Sequence, residues 1–195
     1  MSSRNTEGAR GTRLLDLEAV VAELQDAVRD DDPRPAVRDI LRRVVSEPDE
    51  LTASLGDASA GLNFLHRAPD LTVINAVWPP YISLFPHDHR MWAAIGIYGG
   101  AEDNSFFRRQ GRTIVGSGGK SLSEGDVLML GNDAIHSVRN PARRYTGAIH
   151  VYGGDFVAKP RSQWDEETGE ERPYDLEAVR ALFERADKAA DHGDG

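Results

Sequence analysis

Two histidines one residue apart, His87 and His89, sit in Pro86-His87-Asp88-His89, just ahead of the apolar run 91–98. On a strand, alternate side chains share a face, so both imidazoles project together into whatever space that strand lines. Two such imidazoles are a metal-ligand pair, although a turn with two incidental histidines has the same spacing. A third histidine, His136, lies further along, in the stretch 125–140. In Ala148-Ile149-His150-Val151-Tyr152 the alternation puts Ala148, His150 and Tyr152 on one face, opposite Ile149 and Val151. A histidine beside a tyrosine can orient the phenol by a hydrogen bond, and a phenol so placed can donate a proton to substrate or oxygen. The chain has no cysteine. Disulfides, thiolate metal sites and cysteine nucleophiles are therefore excluded, and any bound metal must be held by nitrogen and oxygen.

These residues need a scaffold, and the apolar pattern supplies one. Leu15, Leu17, Val20, Val21, Leu24 and Val28 recur at helical spacing until the run Asp30-Asp31-Asp32-Pro33. A second helix is expected from near Pro35, with Val37, Ile40, Leu41 and Val44 on one face, and a short helical turn at 50–55. From about residue 62 the texture changes to short apolar or alternating runs separated by Gly, Pro, Asn and Asp. Strands are expected at 71–78, 93–98, 105–109, 112–115, 126–130, 137–140 and 145–152, with a turn at 116–119. Strands this short and evenly spaced imply an antiparallel sandwich or barrel. A charged loop at 163–172 and an amphipathic helix at 174–190 complete the expectation of a single domain: a helical arm over 13–57, a β-barrel over 58–160, and the loop and C-terminal helix over 161–195. Residues 1–12 are expected to be disordered.

At 195 residues the chain can bury a core without cross-links. Its net charge of −9 disfavours nucleic-acid backbones and anionic membranes as partners. No apolar run approaches the roughly 20 residues that span a bilayer. The N-terminal 13 residues lack the apolar core of a signal peptide, so a cytoplasmic location is expected.

The stretch 125–140 resembles the second conserved motif of the cupins, G-x5-P-x-G-x2-H-x3-N. Gly125, His136 and Asn140 fall at the matching places, while Gly131 and Asp133 replace the internal Pro and Gly. His87 and His89 match the histidine pair of the first cupin motif, in the expected order. The motif's usual glutamate is replaced by Ala93 or Ala94, and its opening Gly by Tyr81. The resemblance implies a double-stranded β-helix, or jelly-roll barrel, in which His87, His89 and His136 converge on one metal. Without the carboxylate, the ligand face is neutral and a divalent ion keeps its full charge. Such a face suits Zn²⁺ with an activated water, or iron(II) with open positions for substrate and O₂.

Ala148-Ile149-His150-Val151-Tyr152 is similar to the S-x-H-x-Y motif of the thiol dioxygenases, the cysteine and 3-mercaptopropionate dioxygenase branch of the cupins. The similarity extends over roughly residues 62–161 and includes Trp78. It implies iron(II) held by His87, His89 and His136, with Tyr152, positioned by His150, hydrogen-bonding to substrate or oxygen. A small thiol would be oxidised by O₂ to a sulfinate. Arg161, where the mercaptopropionate enzymes place an arginine, would bind a substrate carboxylate. This chain departs from the pattern in three ways. Ala148 replaces the motif serine, so the partner of His150 is lost or supplied otherwise. Ala94 stands where the animal enzymes carry the cysteine that cross-links to the tyrosine. At the upstream arginine position of the cysteine enzymes the chain has Gly61-Leu62-Asn63, with Arg67 a distant candidate.

Two other readings stay open: a metal-dependent lyase, isomerase or hydrolase, and a non-catalytic small-molecule-binding cupin. His66 and His192 are expected to be non-ligands, and Trp78 and Trp92 core or pocket wall. Glu102 and Asn104 are expected to make polar contacts at the surface or between sheets, with a supporting role behind the metal ligands also open. The identity of the thiol and the oligomeric state are not legible.

Overall fold

The computed structural model describes residues 14–191 except Arg112. The expected disorder of residues 1–12, the reading of His192 and the start of the strand expected at 112–115 lie outside the described residues.

Helix α1 (Leu17–Ala27) starts where the Asp16 carboxylate accepts from the Ala19 amide at 3.0 Å, satisfying one free donor of the first turn. Helices α2 (Arg34–Val45) and α3 (Pro48–Leu55) carry proline in their first turn, where no amide bond is lost. The turn expected at 50–55 is thus the later part of a longer helix. Val20, Leu24, Val37, Leu41, Val44 and Leu51 face one way, as their spacing predicts, and are buried.

Among the described residues eleven strands follow: β1 (Gly61–Arg67), β2 (Thr72–Trp78), β3 (Ser83–Asp88), β4 (Ala93–Gly99), β5 (Ala101–Gln110), β6 (Thr113–Ser123), β7 (Val127–Leu130), β8 (Ile135–Arg139), β9 (Thr146–Tyr152), β10 (Ser162–Trp164) and β11 (Glu171–Pro173). They form two antiparallel sheets, ordered β1-β2-β9-β4-β7 and β11-β10-β3-β8-β5-β6. The fold is the expected mainly-β jelly roll with N-terminal helices and a C-terminal helix, α4 (Leu176–Asp191).

The central strands of the five-stranded sheet, β2, β9 and β4, are buried on both faces. Val73, Ala94, Ile149 and Val151 pack against α1–α3, so the helical arm covers this sheet in cis. Ile74, Ala93, Ile95, Ala148 and Tyr152 alternate with them and face the second sheet. Helix α2 lies so close to β4 that a Cβ on Gly96 would sit 2.8 Å from Leu41 Cγ. Val179 and Phe183 of α4 close the other end of the sandwich against Ala76, Trp78 and Val138.

Two expectations are corrected. The turn expected at 116–119 is the middle of β6, an exposed edge strand whose ladder with β5 bulges at Phe106/Phe107. Its glycines mark an irregular edge rather than a reversal; the chain reverses between Gln110 and Thr113, where Gly111 has φ +63°. The charged loop expected at 163–172 contains the β10–β11 hairpin, which extends the sheet that carries β3. Among the described residues no helix is long and apolar enough to cross a membrane.

Candidate metal centre

Strand β3 delivers His87, and His89 follows at its end. Arg90 then adopts a left-handed backbone, φ +55°, before the chain enters β4. His136 on the neighbouring β8 lies directly across the ladder from His87. The three ligand nitrogens lie within 4.8 Å of one another, and the rings are 1–3% exposed. His89 Nε2 is 3.2 Å from His87 Nε2 and 3.4 Å from His136 Nε2. The expected pairing of His87 and His89 with His136 is thus realised.

Hydrogen bonds on the far side of two of the rings place their protons. His87 Nδ1 donates to the Phe85 carbonyl at 3.0 Å. His136 Nδ1 lies 2.7 Å from Asn104 Oδ1; the Asn104 amide nitrogen donates to Glu102 Oε1 at 2.9 Å, which turns its oxygen toward the histidine. Both rings therefore carry their proton on Nδ1, leaving bare Nε2 lone pairs aimed at His89. One N–H on His89 could satisfy only one of them. A cation at the centre satisfies all three, so the residues fit a metal. Burial holds the imidazoles neutral: it pulls His87 down to about 4 and, aided by the neighbouring histidines, His89 and His136 well below the usual histidine range. Neutral imidazole is the form a metal needs. No carboxylate belongs to this group among the described residues.

Asp88, between the two histidines, points the other way, as strand alternation requires. It accepts from the Ser162 amide at 2.7 Å and from Arg90 Nε at 2.8 Å. Glu171 on β11 takes a two-pronged bond from Arg109, at 2.6 and 2.8 Å, and accepts from Ser162 Oγ at 2.5 Å. These contacts latch the β10–β11 hairpin to β3 and β5, and with it the residue just before, Arg161.

On the facing sheet, β9 presents His150 and Tyr152 inward. The Tyr152 ring meets His89 edge-on at 5.0 Å, and its hydroxyl is 3.0 Å from His150 Nδ1. Burial, then the nearby Tyr174, raises the Tyr152 phenol above its ordinary range, with Arg161 opposing, so the phenol keeps its proton at neutral pH. Trp78 lies 6.1 Å from His150 and 4.9 Å from Phe183, as wall rather than chemistry.

Arg161 is 8% exposed, its guanidinium 4.0 Å from the ring centres of both Phe156 and Tyr174. It donates to the Phe156 carbonyl, its Nε has no partner, and it forms no ion pair among the described residues. Tyr174 in turn lies 5.5 Å from His87, and Phe156 4.5 Å from Tyr152. Arg67, the distant candidate, is occupied by Asp155 at 2.9 and 3.0 Å. His66 stands outside the histidine group.

No protein-family model matches the chain. Solved structures do, at low identity. A mutant of Bacillus subtilis oxalate decarboxylase shares 16% identity over 45% of this chain and 22% of its own, with a TM-score of 0.38. An RmlC-like cupin family protein with a double-stranded β-helix fold from Methanocaldococcus jannaschii shares 13% over 52% and 86%, TM-score 0.43. The cupin domain of Schizosaccharomyces pombe Cnp3 shares 10% over 53% and 74%, TM-score 0.44. The last two are described as cupins. With TM-scores below 0.5 the three carry neither metal nor reaction across to this chain, which spans about a fifth of the decarboxylase.

Glu102 and Asn104, expected in polar contacts at the surface or between sheets with a supporting role behind the ligands left open, are both buried, and Asn104 bonds a candidate metal ligand. The signal was their alternation: Glu102, Asn104 and Phe106 share one face of β5. Phe156 and Tyr174, which bracket Arg161, carried no signal because they lie in irregular chain outside the barrel strands.

Proposed function

We propose that this protein is an iron(II)-dependent thiol dioxygenase that oxidises a small thiol, one bearing a carboxylate, to its sulfinate with O₂. The observation that carries the reading is the juxtaposition of bare, neutral imidazole nitrogens with a buried, protonated phenol. His87, His89 and His136 would hold the ion without neutralising it, which favours an anionic thiolate beside it. Iron(II), when bound, supplies the redox chemistry that joins both atoms of O₂ to sulfur.

The chain's own residues do the rest. Tyr152, held by His150, hydrogen-bonds to substrate or oxygen over the centre. Arg161 offers a buried cation with an unpartnered Nε, and a carboxylate would supply the missing acceptor. Phe156 and Tyr174 exclude water around it, which strengthens that attraction.

The test is O₂ uptake by anaerobically iron-loaded protein against a panel of thiols, with sulfinate detected by mass spectrometry and zinc-loaded protein as control. Thiol-dependent uptake with sulfinate, absent with zinc, is the expected result; no uptake with any thiol at full iron occupancy overturns it. The neutral three-histidine set also suits Zn²⁺ with one bound water. Turnover of a substrate by the zinc form without O₂ would establish that second reading instead.

A further inference from the structure

The thiol dioxygenase motif places a serine where this chain has Ala148, and a methyl group cannot hydrogen-bond to His150. We infer that Glu102, from the opposite sheet, takes over that position and sets the proton placement of His150 and of His136 at once. The inference rests on the three-histidine metal centre for the role of His136; it does not require that the substrate be a thiol.

Glu102 is fully buried, and its Oε1 accepts from the Asn104 amide at 2.9 Å. Its other oxygen, Oε2, has no hydrogen-bond partner; His150 Nε2 has none either, and the two atoms are 3.8 Å apart. That separation is about 0.8 Å longer than a hydrogen bond, a gap that a small rotation of either side chain closes. Two buried polar atoms facing each other unpaired would be costly, so each is the other's natural partner.

As a carboxylate, Glu102 would only accept, and that sets the hydrogen-bond directions of the proposal. On one side, the Asn104 NH₂ group must face Glu102, its oxygen must face His136, and His136 must carry its proton on Nδ1. Its Nε2 is then free for a metal. On the other side, His150 must carry its proton on Nε2 to donate to Glu102. Its Nδ1 is then an acceptor for the Tyr152 hydroxyl, 3.0 Å away. The phenol oxygen thereby turns its lone pairs toward the centre. Glu102 is a positioning residue: it touches neither metal nor substrate and acts through two imidazoles.

The test is histidine tautomer assignment by long-range ¹H–¹⁵N correlation in zinc-loaded protein, where zinc pins His136 at Nε2 and no turnover is needed. In the wild type, His150 is expected to be protonated at Nε2 and bare at Nδ1. In Glu102→Gln the amide NH₂ must face His150, because Asn104 still needs an acceptor. His150 is then expected to swap its proton to Nδ1, while His136 and the bound zinc are retained. Protonation of wild-type His150 at Nδ1, or a tautomer unchanged in Glu102→Gln, overturns the proposal. Should the variant not fold, the wild-type His150 Nε2 proton decides. Slow solvent exchange and a nuclear Overhauser contact to the Glu102 methylenes support the proposal, and absence of that contact overturns it. Loss of thiol oxidation with these tautomers intact would sink the dioxygenase reading alone.

Discussion

Tyr152 and Arg161 can be separated by what their loss does. Tyr152→Phe removes one hydroxyl from a ring that stays packed on His89 and Phe156. The expected result is a fall in kcat of about 10²–10⁴-fold, the usual worth of a positioned proton-transfer group, with metal content unchanged by elemental analysis. Retained turnover would remove the phenol from the mechanism. Arg161→Met keeps apolar bulk between Phe156 and Tyr174 while deleting the charge. A hydrogen bond to a charged group contributes about 1.5–3 kcal/mol, so KM for a mercapto-carboxylate should rise roughly 10- to 150-fold, while KM for a thiol without a carboxylate stays put. Equal effects on both thiols would show that Arg161 serves the fold and not the substrate.

At the scale of elements, the contact between α2 and β4 holds the rear of the sheet whose front carries His150 and Tyr152. Strand β4 pairs with β9 so that Ile95 lies opposite His150 and Ala93 opposite Tyr152. Leu41 is 1% exposed and packs over Gly96. Leu41→Ala should cost about 2–5 kcal/mol in urea unfolding, as truncation of a buried leucine does. Gly96→Ala should cost about 1–3 kcal/mol by overpacking, because its Cβ would press on Leu41 and on Val45 Cγ1 at 2.9 Å. A midpoint unchanged in both would mean that the helical arm is not docked here.

For the whole molecule, the buried histidines tie stability to pH and to metal. Their folded-state pKa values lie below the unfolded value near 6.5, with His87 at about 4. Above pH 6.5 neither state takes up protons at these rings. Below it the unfolded chain binds protons that the folded chain refuses, so metal-free stability falls as pH drops from 6.5 toward 4. Thermal melts of metal-free protein at pH 7, 6 and 5 should show this decline, and His89→Gln should flatten it. Metal binding selects the folded state and should raise Tm with free metal concentration. A Tm insensitive to divalent ions would argue against the metal centre.

The sequence by itself determined the periodicities: helices where apolar residues recur every three or four positions, strands where they alternate, and therefore which way His87, His89, His150 and Tyr152 point. Those are local rules, since side-chain direction along a strand depends only on the pleat. It also determined the metal-ligand chemistry, because a chain without cysteine leaves only nitrogen and oxygen donors. Sheet register was not legible, because it is settled by pairing between distant segments. It took the fold to set His136 across from His87 and to bring Glu102 of one sheet to His150 of the other. The Gly-rich stretch 116–119 looked like a turn for the same reason: its strand identity comes from the ladder with β5. The setting of Arg161 between Phe156 and Tyr174 likewise depends on the latched hairpin, held by long-range hydrogen bonds and an ion pair that no local pattern encodes.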